Sequence, residues 1–167
     1  MKKFFKNGII LSSLLTSSLA FADLTIPVYG VEAVDLGKPM GTVQISQTPY
    51  GLLLTPHLKG LTSGIHGFHI HENPSCEDHA MAAGAHWDPK HTNKHLGPYN
   101  NGHLGDLPAL YVNADGEATL PILAPRLTHL NKIKNHALII HEGGDNYSDE
   151  PLKLGGGGTK MICGVIK

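Results

Sequence analysis

Thr42-Val43-Gln44-Ile45-Ser46-Gln47, then Pro49-Tyr50-Gly51, then Leu52-Leu53-Leu54-Thr55-Pro56-His57: two runs of period two stand on either side of a turn signal. That period marks strands with one face buried. Proline and glycine between them are turn residues. The same period recurs before and after this pair, in residues 24–34, 65–71, 109–112 and 118–120. Further turn signals lie at Gly37-Lys38-Pro39 and at Asp115-Gly116, the latter joining two runs as a hairpin would. Residues 137–141 and 160–166 are two more β-like runs, so eight strands are expected, and only residues 127–135 read as helical. Many short strands and turns make an all-β sandwich or barrel. Residues 72–108 have no sustained period but hold five histidines, Cys76 and Trp87. Long loops of this kind carry function.

The N-terminal end has a basic start (Lys2, Lys3, Lys6), an apolar and small-residue run, and Ala20-Phe21-Ala22 before Asp23. This order is a secretory signal peptide over residues 1–22. The run is broken by serines and threonine, and is short of the roughly 20 apolar residues a membrane span needs. Residues 23–167 are then one domain, a size that supports a single core. Its formal charge goes from −1 to −4 with the three lysines removed, which gives no footprint for nucleic acid. In an oxidising compartment Cys76 and Cys163 are expected to form a disulfide.

His69 and His71 are two residues apart in Gly67-Phe68-His69-Ile70-His71, so strand alternation puts both imidazoles on one face. His86, His95, His103 and Asp106 follow in the glycine-rich loop region, separated by eight, seven and two residues. Three imidazoles and a carboxylate form a closed four-ligand set suited to zinc. His141 ends a strand-like run and can join His69 and His71. Such a nitrogen-rich group suits copper. His141-Glu142-Gly143-Gly144-Asp145 lacks the second histidine of a zinc-protease motif.

Together, Gly67-Phe68-His69-Ile70-His71-Glu72, Gly84-Ala85-His86-Trp87-Asp88-Pro89, Gly102-His103-Leu104-Gly105-Asp106-Leu107 and Cys163-Gly164-Val165-Ile166 resemble the copper,zinc superoxide dismutase family. Asn73-Pro74-Ser75-Cys76 and Gly143-Gly144-Asp145-Asn146 resemble its bacterial periplasmic branch. The resemblance implies an eight-stranded Greek-key barrel with long metal-binding and electrostatic loops. It implies copper on His69, His71, His86 and His141, and zinc on His86, His95, His103 and Asp106, with His86 as a bridging imidazolate. Asp145 is then the carboxylate that links one ligand histidine of each metal. The implied activity is dismutation of superoxide to dioxygen and hydrogen peroxide, copper alternating between two oxidation states while the freed nitrogen of His86 takes up a proton. Relatives include monomers and dimers, so a homodimer is among the expected states. No partner membrane is implied once the leader is cleaved.

One position departs from the family pattern: Lys160 stands three residues before the final cysteine, where relatives have an arginine that guides the anion. Positive charge is kept, while the rigid fork of donors is lost. His66 fills a non-ligand place common in the family, and His57, His79, His91, His129 and His136 match no ligand motif. Gly155-Gly156-Gly157-Gly158-Thr159-Lys160 lacks the order of a phosphate loop. Asn146-Tyr147-Ser148 has the form of a glycosylation sequon, which a bacterial likeness discounts. Two rivals are a noncatalytic copper and zinc carrier and a zinc hydrolase. The complete ligand set with Lys160 argues against the first, and the lack of an open zinc position with a free carboxylate base argues against the second.

Overall fold

A computed structural model describes residues 23–32 and 36–167. The expected leader, residues 1–22, and the end of the first expected strand, residues 33 and 34, lie outside the described residues. The strand segments are β1 (Asp23–Val31), β2 (Leu36–Thr48), β3 (Gly51–Lys59), β4 (Gly64–His66), β5 (Phe68–His71), β6 (Leu110–Val112), β7 (Glu117–Ala118), β8 (Ile122–Ala124), β9 (His136–His141) and β10 (Lys160–Ile166). One short helix, α1 (Leu130–Ile133), precedes β9. All ladders are antiparallel, in the order β5-β9-β10-β1-β2-β3-β7, with β8 also on β3 and β4 paired to β6. Because β10 returns beside β1 and β9 beside β5, the connections are Greek-key rather than a plain meander.

Ten segments reduce to eight strands, for two physical reasons. β7 and β8 meet β3 in one continuous register, Leu58 facing Ala118 and Leu54 facing Ile122. The gap between them falls where Pro121 and Pro56 stand, residues with no N–H to give to a ladder. β4 and β5 are likewise one run that changes partner at Gly67, whose N–H donates to Gly143 O at 2.8 Å. The expected hairpin at Asp115-Gly116 joins β6 to β7: Asn113 N donates to Glu117 O at 2.9 Å. Gly116 sits at φ +75°, which glycine adopts without a Cβ penalty. This hairpin brings the curled sheet round towards its start.

Alternation sorts the side chains. Ile26, Val28, Val43, Ile45, Leu52, Leu54, Phe68, Ile70, Leu138 and Ile140 fill the barrel interior. Each large aliphatic or aromatic side chain buried there stabilises the fold by about 1.5–3 kcal/mol. His69 and His71 alternate with Phe68 and Ile70, so they lie on the outer face, paired with Ile139 and Ala137 of β9. That face is nevertheless buried. The loops between β5 and β6 and between β9 and β10 cover it, and Ala137 and Ile139 form a second small cluster with Cys76, Ala80, Ala83 and Cys163. Cys76 and Cys163 are joined by a disulfide with Cα atoms 5.7 Å apart, which fastens the first loop to β10. The helix is shorter than residues 127–135 suggested. Leu127 O accepts from Leu52 N at 2.7 Å, so the backbone there serves the sheet.

Candidate metal centre

On the covered outer face, His69 and His71 from β5, His141 from the end of β9 and His86 from the loop bring their ligand atoms within 4.8 Å of one another. His71 is turned by its Nδ1, 2.9 Å from Gly84 O. His141 is turned by Nδ1, 3.1 Å from Gly158 O, and His69 by Nε2, 2.7 Å from Asp145 Oδ2. With those outer nitrogens engaged, the inner ones, His69 Nδ1, His71 Nε2, His86 Nε2 and His141 Nε2, are buried and have no hydrogen-bond partner among the described residues. Burial lowers the pKa of His69 to about 3, with His86 beside it adding to the effect, and that of His141 to about 4. Neutral imidazoles with inward lone pairs are metal ligands.

The second group adjoins the first through His86, whose Nδ1 is 3.0 Å from Asp106 Oδ1. His103 Nδ1 is 3.4 Å from the same oxygen. His95 Nδ1 and Asp106 Oδ2 are 3.1 Å apart, yet neither is hydrogen bonded. Ligand atoms of His69, His86, His95 and Asp106 lie within 4.8 Å of one another, and His103 stands outside that group. Chemistry favours His103: His69 Nε2 is occupied by Asp145 and its Nδ1 faces the first group, whereas His103 Nδ1 is unpartnered. Burial raises the Asp106 pKa, but the three neighbouring histidines outweigh it and hold the carboxyl well below its usual range. For His95 burial also opposes, and the carboxylates of Asp106 and Asp145 prevail, raising it to about 9.

Asp145 ties the two groups together. Oδ2 accepts from His69 and Oδ1 from His95 Nε2, both at 2.7 Å, while Tyr147 N donates to Oδ1 at 2.8 Å. Gly155 passes so close that a Cβ there would stand 2.1 Å from Asp145 Oδ1, and its φ is +71°. Only glycine fits that crossing. Asp149 Oδ2 adds a bond from His95 N at 3.0 Å. Partners of this kind orient ligand side chains and set their tautomers.

Lys160, at the start of β10, lines an open cleft with His71, His86, His141 and Thr159. It is half-buried, and its Nζ donates to Ala80 O at 3.0 Å and Gly84 O at 2.9 Å. It is therefore no ordinary exposed strand lysine. Gly84 O thus receives both Lys160 and His71. His79 and Met81 line the same cleft. His66 reaches two carbonyl oxygens, His141 O and Thr62 O, each at 2.8 Å. His136 bonds Glu72 O and stacks on Trp87 at 4.4 Å. His57, His91 and His129 are exposed and do not line that cleft. Sequence patterns did not point to Asp149 or to Arg126, the sole arginine of the chain, whose guanidinium meets the loop carrying His103.

The donor atoms suit the metals that the sequence motifs imply. The first group offers four imidazole nitrogens, a set that favours copper. The second offers three imidazoles and a carboxylate, a closed set of the zinc type. An antiparallel Greek-key barrel with two adjoining groups of buried ligand atoms on its outer face defines a metal-binding protein. The sequence profile described as copper/zinc superoxide dismutase (SODC) matches residues 39–166. A Cu-Zn superoxide dismutase of Actinobacillus pleuropneumoniae is 55% identical over 153 residues, covering 86% of this chain and 80% of that protein. The Cu/Zn superoxide dismutase structure from Brucella abortus superposes with a TM-score of 0.84 at 48% identity, covering 87% of this chain and all of that one. The solution structure of the monomeric enzyme from Salmonella enterica gives 0.78 at 53% identity, with 87% and 100% covered. The chain belongs to the copper/zinc superoxide dismutase family.

Proposed function

We propose that this chain dismutates superoxide, two anions and two protons giving dioxygen and hydrogen peroxide. In this reading His69, His71, His86 and His141 hold copper, and His86, His95, His103 and Asp106 hold zinc. One observation carries it: seven buried ligand atoms have no hydrogen-bond partner, six imidazole nitrogens and Asp106 Oδ2, and they lie in two adjoining clusters, with His103 Nδ1 3.4 Å from Asp106 Oδ1 at the edge of the second. Leaving so many buried polar atoms unpaired is costly unless something else binds them. Bound there, copper supplies one-electron redox chemistry and zinc a fixed positive charge.

The protein's own residues do the rest. Lys160 places a positive charge in the cleft that leads to His71, His86 and His141, where an anion must arrive. His86 offers Nε2 to hold and release a proton beside the reacting oxygen while Nδ1 stays with the Asp106 group. Asp145 keeps His69 and His95 in the tautomer whose Nδ1 faces inward.

Pulse radiolysis of protein loaded with copper and zinc, against metal-free protein, tests the activity. A carrier would bind copper stoichiometrically and turn over no superoxide. His86→Ala tests the shared ligand: copper and zinc affinities should both fall, and a cobalt ion in the second group should cease to perturb the copper spectrum. Unchanged affinities and spectrum would refute the sharing.

Periplasmic location belongs to the same proposal, as does the division into leader 1–22 and domain 23–167. Both rest on the order of basic start, apolar run and Ala20-Phe21-Ala22. N-terminal sequencing of protein released from the periplasm should begin at Asp23; a product beginning at Met1 in the membrane fraction would overturn it. Monomer and homodimer are both among the expected states, and analytical ultracentrifugation of the purified chain reads which one forms.

A further inference from the structure

His103 N donates to Lys94 O at 3.0 Å, so residues 95–103 form a closed lobe. His95 opens it and His103 ends it. The lobe is tight: a Cβ on Gly102 would stand 2.4 Å from Lys94 O. On one side it is held by the loop between β9 and β10, through Asp145 to His95 Nε2 and Asp149 to His95 N. Arg126 reaches the lobe from elsewhere in the fold. Its Nη1 donates to His103 O at 3.0 Å and, at the limit of contact, to Gly97 O at 3.5 Å. Its Nη2 donates to Gly102 O at 2.8 Å. The root of this arginine is fixed, since the adjacent Leu127 is buried and Leu127 O accepts from Leu52 N of β3.

We infer that Arg126 is a positioning residue for the zinc half of the site, an inference that rests on the zinc-ligand reading of His95, His103 and Asp106. A guanidinium is planar and presents its donors as a rigid fork. Here the fork spans consecutive carbonyls, Gly102 O and His103 O, and so fixes the backbone from which the His103 ring projects. It also lends charge-assisted bonds to carbonyls that the tight lobe cannot pair internally. His69, His71 and His141 belong to β5 and β9 and do not depend on this contact. The chain's sole arginine is thus spent on the zinc lobe, while a lysine serves the cleft.

The test is zinc release from copper- and zinc-loaded protein to a chromophoric chelator, with copper retention followed by its visible spectrum. Arg126→Ala should bind zinc about 10- to 100-fold more weakly, the usual effect of losing a partner that orients a ligand, seen as faster release to the chelator, and should keep one copper per chain. Arg126→Lys should fall between the two, because an ammonium cannot reproduce the fork, and it serves if the alanine variant does not fold. Cobalt placed in the zinc site should show altered ligand-field bands in both variants. Ile45→Val, a core change remote from the lobe, is the control for general loosening. Zinc release from Arg126→Ala at the wild-type rate, or equally fast release from Ile45→Val, would overturn the inference. His103→Ala separates the two layers. Loss of zinc in that variant with no effect at Arg126 sinks the positioning role alone, whereas zinc retained in His103→Ala sinks the ligand reading and the inference with it.

Discussion

Removing the Asp145 carboxylate should weaken both metals, and the structure says by how much. In the Asp145→Ala variant, His69 Nε2 and His95 Nε2 lose acceptors that now lie at 2.7 Å. A free imidazole could escape by moving its proton to Nδ1. A metal on Nδ1 forbids that, so the proton stays on Nε2 and faces a buried gap. The penalty therefore falls on the metal-bound state and is read as lost affinity. An unsatisfied buried donor costs about 1–3 kcal/mol, or about 5- to 150-fold in affinity per metal. Partners that orient ligands typically contribute about 10- to 100-fold, inside that range. Competition with chelators of known affinity, one metal at a time, measures the loss. Zinc and copper affinities equal to wild type in a folded Asp145→Ala protein would refute this account of the carboxylate.

Cys76→Ser should lower stability to denaturant by about 4–5 kcal/mol, since the bridge closes a long loop of sequence separation 87; urea titration that gave no loss would contradict it. Lys160→Glu should cut turnover sharply with metal content unchanged, Lys160→Arg should preserve or raise it, and salt should slow the wild type more than Lys160→Ala. Pulse radiolysis across ionic strength checks this, and equal salt slopes would remove Lys160 from anion capture. Metal-free protein should be most stable near pH 6.5. Burial lowers His69 to about 3 and His141 to about 4, so their contribution is present above their ordinary pKa of 6.5 and is lost as pH falls towards 4. His95, raised to about 9 despite burial, acts in the opposite sense, its contribution being lost as pH rises through 9. Urea midpoints from pH 4 to pH 9 that showed no maximum would overturn the assignment.

Period-two alternation was legible in β1, the second half of β2, β3 and the run through β5, where it puts His69 and His71 on one face. Gly37-Lys38-Pro39, which reads as a turn, lies inside β2, and β9 is a continuous apolar run because both its faces are buried. Alternation did not reveal that the face of His69 and His71 is the outer one, because Phe68 and Ile70 are as apolar as a surface under a loop would be. β8 went unseen: Ile122-Leu123-Ala124 is three residues between Pro121 and Pro125, too short for any period. Its place is set by continuity with β7 along β3. The histidines and Asp106 of the loop were legible as a set because their side chains carry the chemistry. Arg126, Gly84 and Gly158 were not, since they act on or through backbone carbonyls, which every residue possesses. Spacing in sequence does not encode which carbonyl a donor will meet.

The pairing of β5 with β9 sets His69 beside Ile139 and His71 beside Ala137, which has a consequence for the order of assembly. Contacts between residues so distant along the chain form late and make folding slow, since a long loop must close before they gain anything. His141, at the far end of β9, enters the site through that same closure. Until that closure the early histidines are a pair on an unpaired strand, with no complete ligand group to offer. Metal acquisition by the complete group therefore belongs to the closed barrel.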